Sequence, residues 1–209
     1  MIDAAPPTRT ATVTCMIACA VFKPALEHLR LTQQYSQLRV VYLPSRLHNM
    51  PQQLQSRLLK EVIKQRKRGE RTICLYGECF PEMNEFCERH SMARVSGTHC
   101  DEILLGHERF HKIIQEESGT YFLERDLIVN FGRYCRRPLE LDDIEIREAL
   151  FRHYRRLLYL RQPSDGNLIP QIRSIADFLG LPFETTDVDY SFLENQITQL
   201  MVAQDRRLL

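Results

Sequence analysis

An α/β fold is predicted, with a doubly wound, mostly parallel sheet flanked by helices and a helical second half. Three observations point to it. Short apolar runs alternate with amphipathic segments four times in the first 118 residues. The longer runs are apolar throughout, as in strands covered on both faces. Each run gives way to a turn that delivers a Cys or a His. The expected organisation is a loose lead-in over residues 1–12, then one α/β domain over 13–209, with βα repeats in 13–118 and a mostly helical completion in 119–209.

Taken in order, residues 13–20 form the first strand, with Cys19 at its carboxyl end. Pro24 suits the first turn of a helix whose inner face is Leu26, Leu29 and Tyr35. Leu38 to Leu43 is the second strand; the loop behind it carries Arg46, Leu47 and His48 before Pro51 opens a helix with Leu54, Leu58 and Val62 on one face. That helix ends in the basic run from Lys64 to Arg68 with Gly69 after it, a charged last turn and cap rather than a phosphate site. Residues 72–76 are the third strand, residues 81–90 a short helix, residues 93–95 a fourth strand, and residues 103–117 helical with a break at Gly106. In the second half, residues 119–123 are extended and 126–134 form a helix lining the site from above. Asp142 and Asp143 cap a long helix reaching Arg161, with Ile146, Leu150, Tyr154, Leu157 and Leu158 buried and Arg147, Arg152, Arg155, Arg156 and Arg161 on its solvated face. A helix over 170–179 capped by Gly180, a strand over 182–188 and a helix over 191–203 close the chain.

Lys+Arg 28 against Asp+Glu 27 leaves a net charge of +1, which supplies no field for a polyphosphate partner and argues against nucleic-acid binding. The apolar stretch 11–22 is too short for a membrane span and meets Lys23-Pro24, so it reads as a buried strand, with no membrane partner. Seven cysteines, an odd number without regular spacing, fit free thiols in a reducing, cytoplasmic setting.

In open parallel sheets, ligands bind outside the carboxyl ends of the strands, near the point where strand order reverses. Cys19, His48, Cys79 and Cys100 each follow a predicted strand, so the fold brings them to one sheet edge. With His48 or His99, the three cysteines form a soft donor set for zinc, or for an iron-sulfur cluster with one iron open. Tyr76 and Gly77 flank the same turn and are candidates for contact with a cofactor. Against this stand two other readings. Cys79 or Cys100 is a nucleophile activated by His99 or His48, with Asp101 orienting the histidine; or the cysteines are packing residues of a non-catalytic module that binds a small molecule or a protein partner. Cys15, Cys74, Cys87 and Cys135 are assigned to packing or surface.

The set Ile17-Ala18-Cys19, Leu47-His48 with Pro51, Tyr76-Gly77-Glu78-Cys79, Cys100 with Leu104-Leu105-Gly106, and the run from Gly119 to Leu123 resembles the bacterial and archaeal domain of unknown function numbered 1638. The resemblance implies an intracellular α/β protein in which Cys19, Cys79 and Cys100 are the recurring cysteines and His48 the recurring histidine. It implies a metal or metallocofactor role, a corrinoid among the candidates, in redox or one-carbon, methyl-transfer chemistry. Two departures stand out: Phe80-Pro81 follows Cys79 where the family continues with a glycine-rich loop, and Thr98-His99 precedes Cys100 where the family places His-Asp. The shift leaves His48 the better fourth ligand.

Overall fold

The structure, a computed structural model, describes residues 12–206. All but Thr12 of the expected lead-in therefore lies outside the described residues. The first half is βα-repetitive as expected. Strand β1 (Thr14–Cys19) leads through a 3-10 turn into helices α1 (Lys23–His28) and α2 (Leu31–Gln34), separated where Arg30 takes a left-handed conformation. Then follow β2 (Leu38–Leu43), a 3-10 turn (Ser45–Asn49), α3 (Pro51–Lys67), β3 (Arg71–Leu75), α4 (Met83–Arg89) and the two-residue β4 (Ala93–Arg94). Helices α5 (Cys100–Leu105) and α6 (His107–Glu116) meet at Gly106, whose φ of 84° breaks the helix at the expected position. The strands are parallel and ordered β2-β1-β3-β4. The chain thus steps from β1 to one side and then crosses to the other, so strand order reverses between the carboxyl ends of β1 and β3.

The second half is mostly helical as expected, and the extended runs expected at 119–123 and 182–188 are present; the departure is a third strand between them, where a helix was expected. Strands β5 (Thr120–Leu123), β6 (Arg156–Arg161) and β7 (Phe183–Asp187) form a second parallel sheet, ordered β5-β6-β7, with helices α7 (Arg125–Phe131), α8 (Ile144–Phe151), α9 (Ile169–Leu179) and α10 (Ser191–Arg206) around it. The long helix expected to reach Arg161 stops at Phe151. Asp143 caps it as predicted, accepting from the backbone N–H of Glu145 and Ile146. Leu150 is exposed rather than buried, and Arg156 and Arg161 pair across the sheet with Glu184 and Asp187 instead of lining a helix face. Burial on both faces explains the change: Leu157 to Leu160 are all buried, and β6 is paired along both edges, an environment that outweighs leucine's preference for helix.

β6 also joins two cores. Leu158 and Leu160 pack with the first-sheet core, together with Leu193, Ile197 and Met201 of α10; Leu157 and Tyr159, on the opposite face, pack with Leu123, Ile128 and Ile172. Among the described residues, no helix is long and apolar enough to cross a membrane.

Candidate functional site

A cleft of about 410 Å³ opens between the carboxyl ends of the first-sheet strands and the residues around α7. Cys19 ends β1, His48 lies in the turn after β2, Cys79 follows β3, and Cys100 starts α5 after β4; all four line the cleft. The convergence inferred from strand ends is therefore present, at the strand-order reversal. Cys19 is buried, and Cys79 and Cys100 are half-buried. All seven cysteines are free thiols.

The four groups form a chain of contacts. Cys79 neighbours both Cys100 and His48, and Cys100 also neighbours Cys19. Interaction with Cys100, then burial, pushes the Cys79 thiol well up; interaction with Cys19 contributes most to raising Cys100. Interaction with Cys79 raises His48 against the opposing effect of burial. The chain is an open arc, however. Among the described residues, the trio whose donor atoms all lie within 4.8 Å of one another is Glu102, His107 and His111.

Tyr76 and Gly77, expected to touch a cofactor, do not line the cleft. Tyr76 lies beneath it, 1% exposed, and its hydroxyl has no hydrogen-bond partner. Burial raises this phenol far above its ordinary value, and the neighbouring thiols of Cys19, Cys74, Cys100 and Cys79 add to the shift. Gly77 acts on the backbone: a Cβ there would stand 2.6 Å from the carbonyl oxygen of Thr98 and 2.9 Å from Cα of His99. Its bareness lets the Glu78 N–H donate to that carbonyl at 2.7 Å, tying the Cys79 turn to the Cys100 loop.

His99 lines the cleft but is exposed, its Nδ1 2.8 Å from Thr98 Oγ1 and its ring stacked on Phe110. Cys15, Cys74 and Cys87 are buried in the first core, as assigned. Cys135 is buried too, yet it borders the cleft, 3.5 Å from the Tyr121 hydroxyl.

Sequence reasoning reached Asp101 but missed the rest of an acidic wall, Glu124 and Asp126 above all. Glu78, Asp101, Glu124 and Asp126 line the cleft, whereas Arg46 is the single Arg or Lys among its lining residues. Glu124 follows β5 and caps α7, accepting from Asp126 N at 2.5 Å and Leu127 N at 2.7 Å. Burial outweighs those bonds and lifts its carboxyl to about 8; Asp101, lifted chiefly by burial, reaches about 6. Asp126 is held by Ser45 Oγ, which joins α7 to the turn carrying His48. The signal for Glu124 was available: it follows the extended run 119–123 as Cys79 follows β3. The helix expected over 126–134 does line the site, through Asp126, Leu127 and Tyr134.

No match is found among curated proteins or among solved structures. A family-wide profile described as "Protein of unknown function (DUF1638)" matches residues 42–197, a span that includes His48, Cys79 and Cys100 and begins after Cys19. The chain belongs to that family of unknown function.

Proposed function

We propose that the cleft binds a metal ion, or a metal-containing cofactor, through Cys19, His48, Cys79 and Cys100, in support of redox or one-carbon chemistry. The observation that carries this reading is the contact chain itself. Four strand-end groups of soft-donor type, separated widely in sequence, meet at the strand-order reversal of a parallel sheet. Two further features support it. The orphaned hydroxyl of Tyr76 sits among the thiols, where thiolates would give it an acceptor. A lining with four carboxyl groups and a single Arg is poorly suited to a nucleic acid or another polyanion, and a bound cation would draw those carboxyls into their charged form.

Three thiolates and an imidazole suit zinc in a tetrahedral site, or an iron-sulfur cluster. Closing the arc around an ion takes rotamer changes of the half-buried Cys79 and Cys100. Such a group supplies Lewis acidity or, as iron, electron transfer. The chain's own residues supply the rest: Glu124, poised near neutrality, holds or releases a proton at the cleft wall, and Arg46 offers an anchor for an anionic group of a small-molecule substrate. Seven free thiols favour a reducing, cytoplasmic setting. A free-thiol nucleophile is the weaker alternative, because the metal-free contacts keep Cys79 and Cys100 protonated at neutral pH, a balance that only a bound cation reverses.

The test is anaerobic purification without metal-based affinity tags, followed by elemental analysis for Fe, Zn and Co and a visible spectrum. Near-stoichiometric metal that Cys79→Ser with Cys100→Ser releases, while the variant keeps its circular dichroism and cooperative unfolding, supports the reading. A folded, colourless wild type that also fails to take up Zn²⁺ or Fe²⁺ through sulfur rejects it.

A further inference from the structure

Glu102, the third residue of α5, is a buried carboxylate with both oxygens engaged. Oε2 accepts from the Thr98 backbone N–H at 2.7 Å and from Thr98 Oγ1 at 2.6 Å. Oε1 lies 2.6 Å from Nδ1 of His107 and 3.7 Å from Nε2 of His111. The two histidines are four residues apart on α6 and so share one helix face, their ring centroids 4.3 Å apart. Gly106 makes the meeting possible, since its positive φ joins α5 to α6 without an intervening loop.

We infer that Glu102, His107 and His111 form a second metal site, separate from the thiol cleft, that takes a divalent transition cation such as Zn²⁺, Co²⁺ or Ni²⁺. Two imidazoles and a carboxylate are a borderline donor set, suited to these ions and poorly suited to Ca²⁺ or Mg²⁺. A tetrahedral ion with bonds of about 2.05 Å sets its ligands about 3.3 Å apart. The present separations of 2.6 and 3.7 Å bracket that value. The histidine side chains are 66% and 48% exposed, so small ring movements reach it without disturbing the core. Glu102 is the fixed ligand, held by Thr98, and solvent completes the coordination on the open side. A simple ion pair accounts for His107 against Glu102; it does not account for His111 approaching the same oxygen.

The site also reaches the thiol cleft. Thr98 links Glu102 to the loop that carries His99 and Cys100, so occupancy stiffens that loop.

Co²⁺ titration of the full chain tests the inference by spectrum and stoichiometry. Cobalt bound by thiolates gives sulfur-to-metal charge-transfer absorption, and cobalt bound by His and Glu does not. The expected result is one equivalent bound without charge-transfer intensity, competed by Zn²⁺ and weakened at least tenfold in His107→Ala and in His111→Ala. Any charge-transfer band is unchanged in both variants, whether the cleft binds metal or not. Both substitutions fall on exposed side chains, and buried Glu102 is left intact. The inference is overturned if the variants bind cobalt with the stoichiometry and affinity of the wild type, or if the wild type binds none outside the charge-transfer bands.

Discussion

The hydroxyl of Tyr76 is the most informative single group near the cleft, because it is buried and unpaired among cysteine side chains. A buried donor without an acceptor costs about 1–3 kcal/mol, so Tyr76→Phe is expected to leave the metal-free protein as stable as wild type or slightly more so. Metal loading changes the balance, since thiolates accept hydrogen bonds. The same substitution is then expected to weaken metal binding by about tenfold, as losses of outer-shell donors to metal ligands do. Denaturant unfolding of the metal-free forms and competitive chelator titration of the loaded forms check the two halves. Equal affinity in wild type and variant would show that the hydroxyl plays no part. Tyr76 and Gly77, singled out in the sequence as cofactor contacts, are not among the residues that line the cleft. A strand-end Tyr-Gly pair gives no hint of whether the ring faces the cleft or the core, and the close approach of the Thr98 carbonyl to Gly77 depends on a loop 21 residues away.

Among the elements, β6 shows where pattern reading fails. The run from Leu157 to Leu160 is short and wholly apolar, a length at which buried strand and buried helix look alike. The capping aspartate upstream was identified correctly, but nothing local marks the helix end at Phe151. By contrast, β2 and α3 were legible because Pro44 and Pro51 bound them, and α9 because Gly180 takes the left-handed cap conformation. The alternation of β6 between two cores carries an energetic consequence. Leu160 is fully buried in the first core although it belongs to the second sheet. Leu160→Ala is expected to cost about 2–5 kcal/mol and to lower the unfolding of both sheets together, as one urea transition with an unchanged slope. Two separated transitions, one of them at the wild-type midpoint, would show that the sheets unfold independently.

For the molecule as a whole, the acidic wall links stability to pH. Glu124 titrates near 8 in the fold against an ordinary 4.5, a raised carboxyl pKa. Its contribution is fully present below the unfolded value and is lost as pH rises through the folded one, so stability falls between pH 4.5 and 8. The change is on the order of 3 kcal/mol by pH 7. Glu124→Gln keeps a cap acceptor without the charge, and it is expected to flatten this part of the metal-free stability profile; an unaltered slope would rule Glu124 out as its source. The strand-end rule was applied to the first four strands, where Cys19, His48, Cys79 and Cys100 line the cleft, and it was not carried on to the extended run at 119–123 because β6, the strand that pairs with it, was read as helix. Glu124 and Asp126 stand at the end of a strand whose pairing partner lies 36 residues on. The Glu102, His107 and His111 cluster was missed for another reason: its histidines are on a helix face, and only the turn at Gly106 brings them to the carboxylate.

The packing of α10 also bears on the order in which the protein is made. The first four strands leave the ribosome long before Leu193, Ile197 and Met201, yet those three residues belong to the core beneath the first sheet, and α10 packs on α5, the helix that begins at Cys100. A nascent chain that has completed every first-sheet strand still has that apolar face bare, so it needs shielding from other chains until α10 emerges. The cleft is accordingly finished only after α10 has been made, and whatever occupies it enters once that helix has docked.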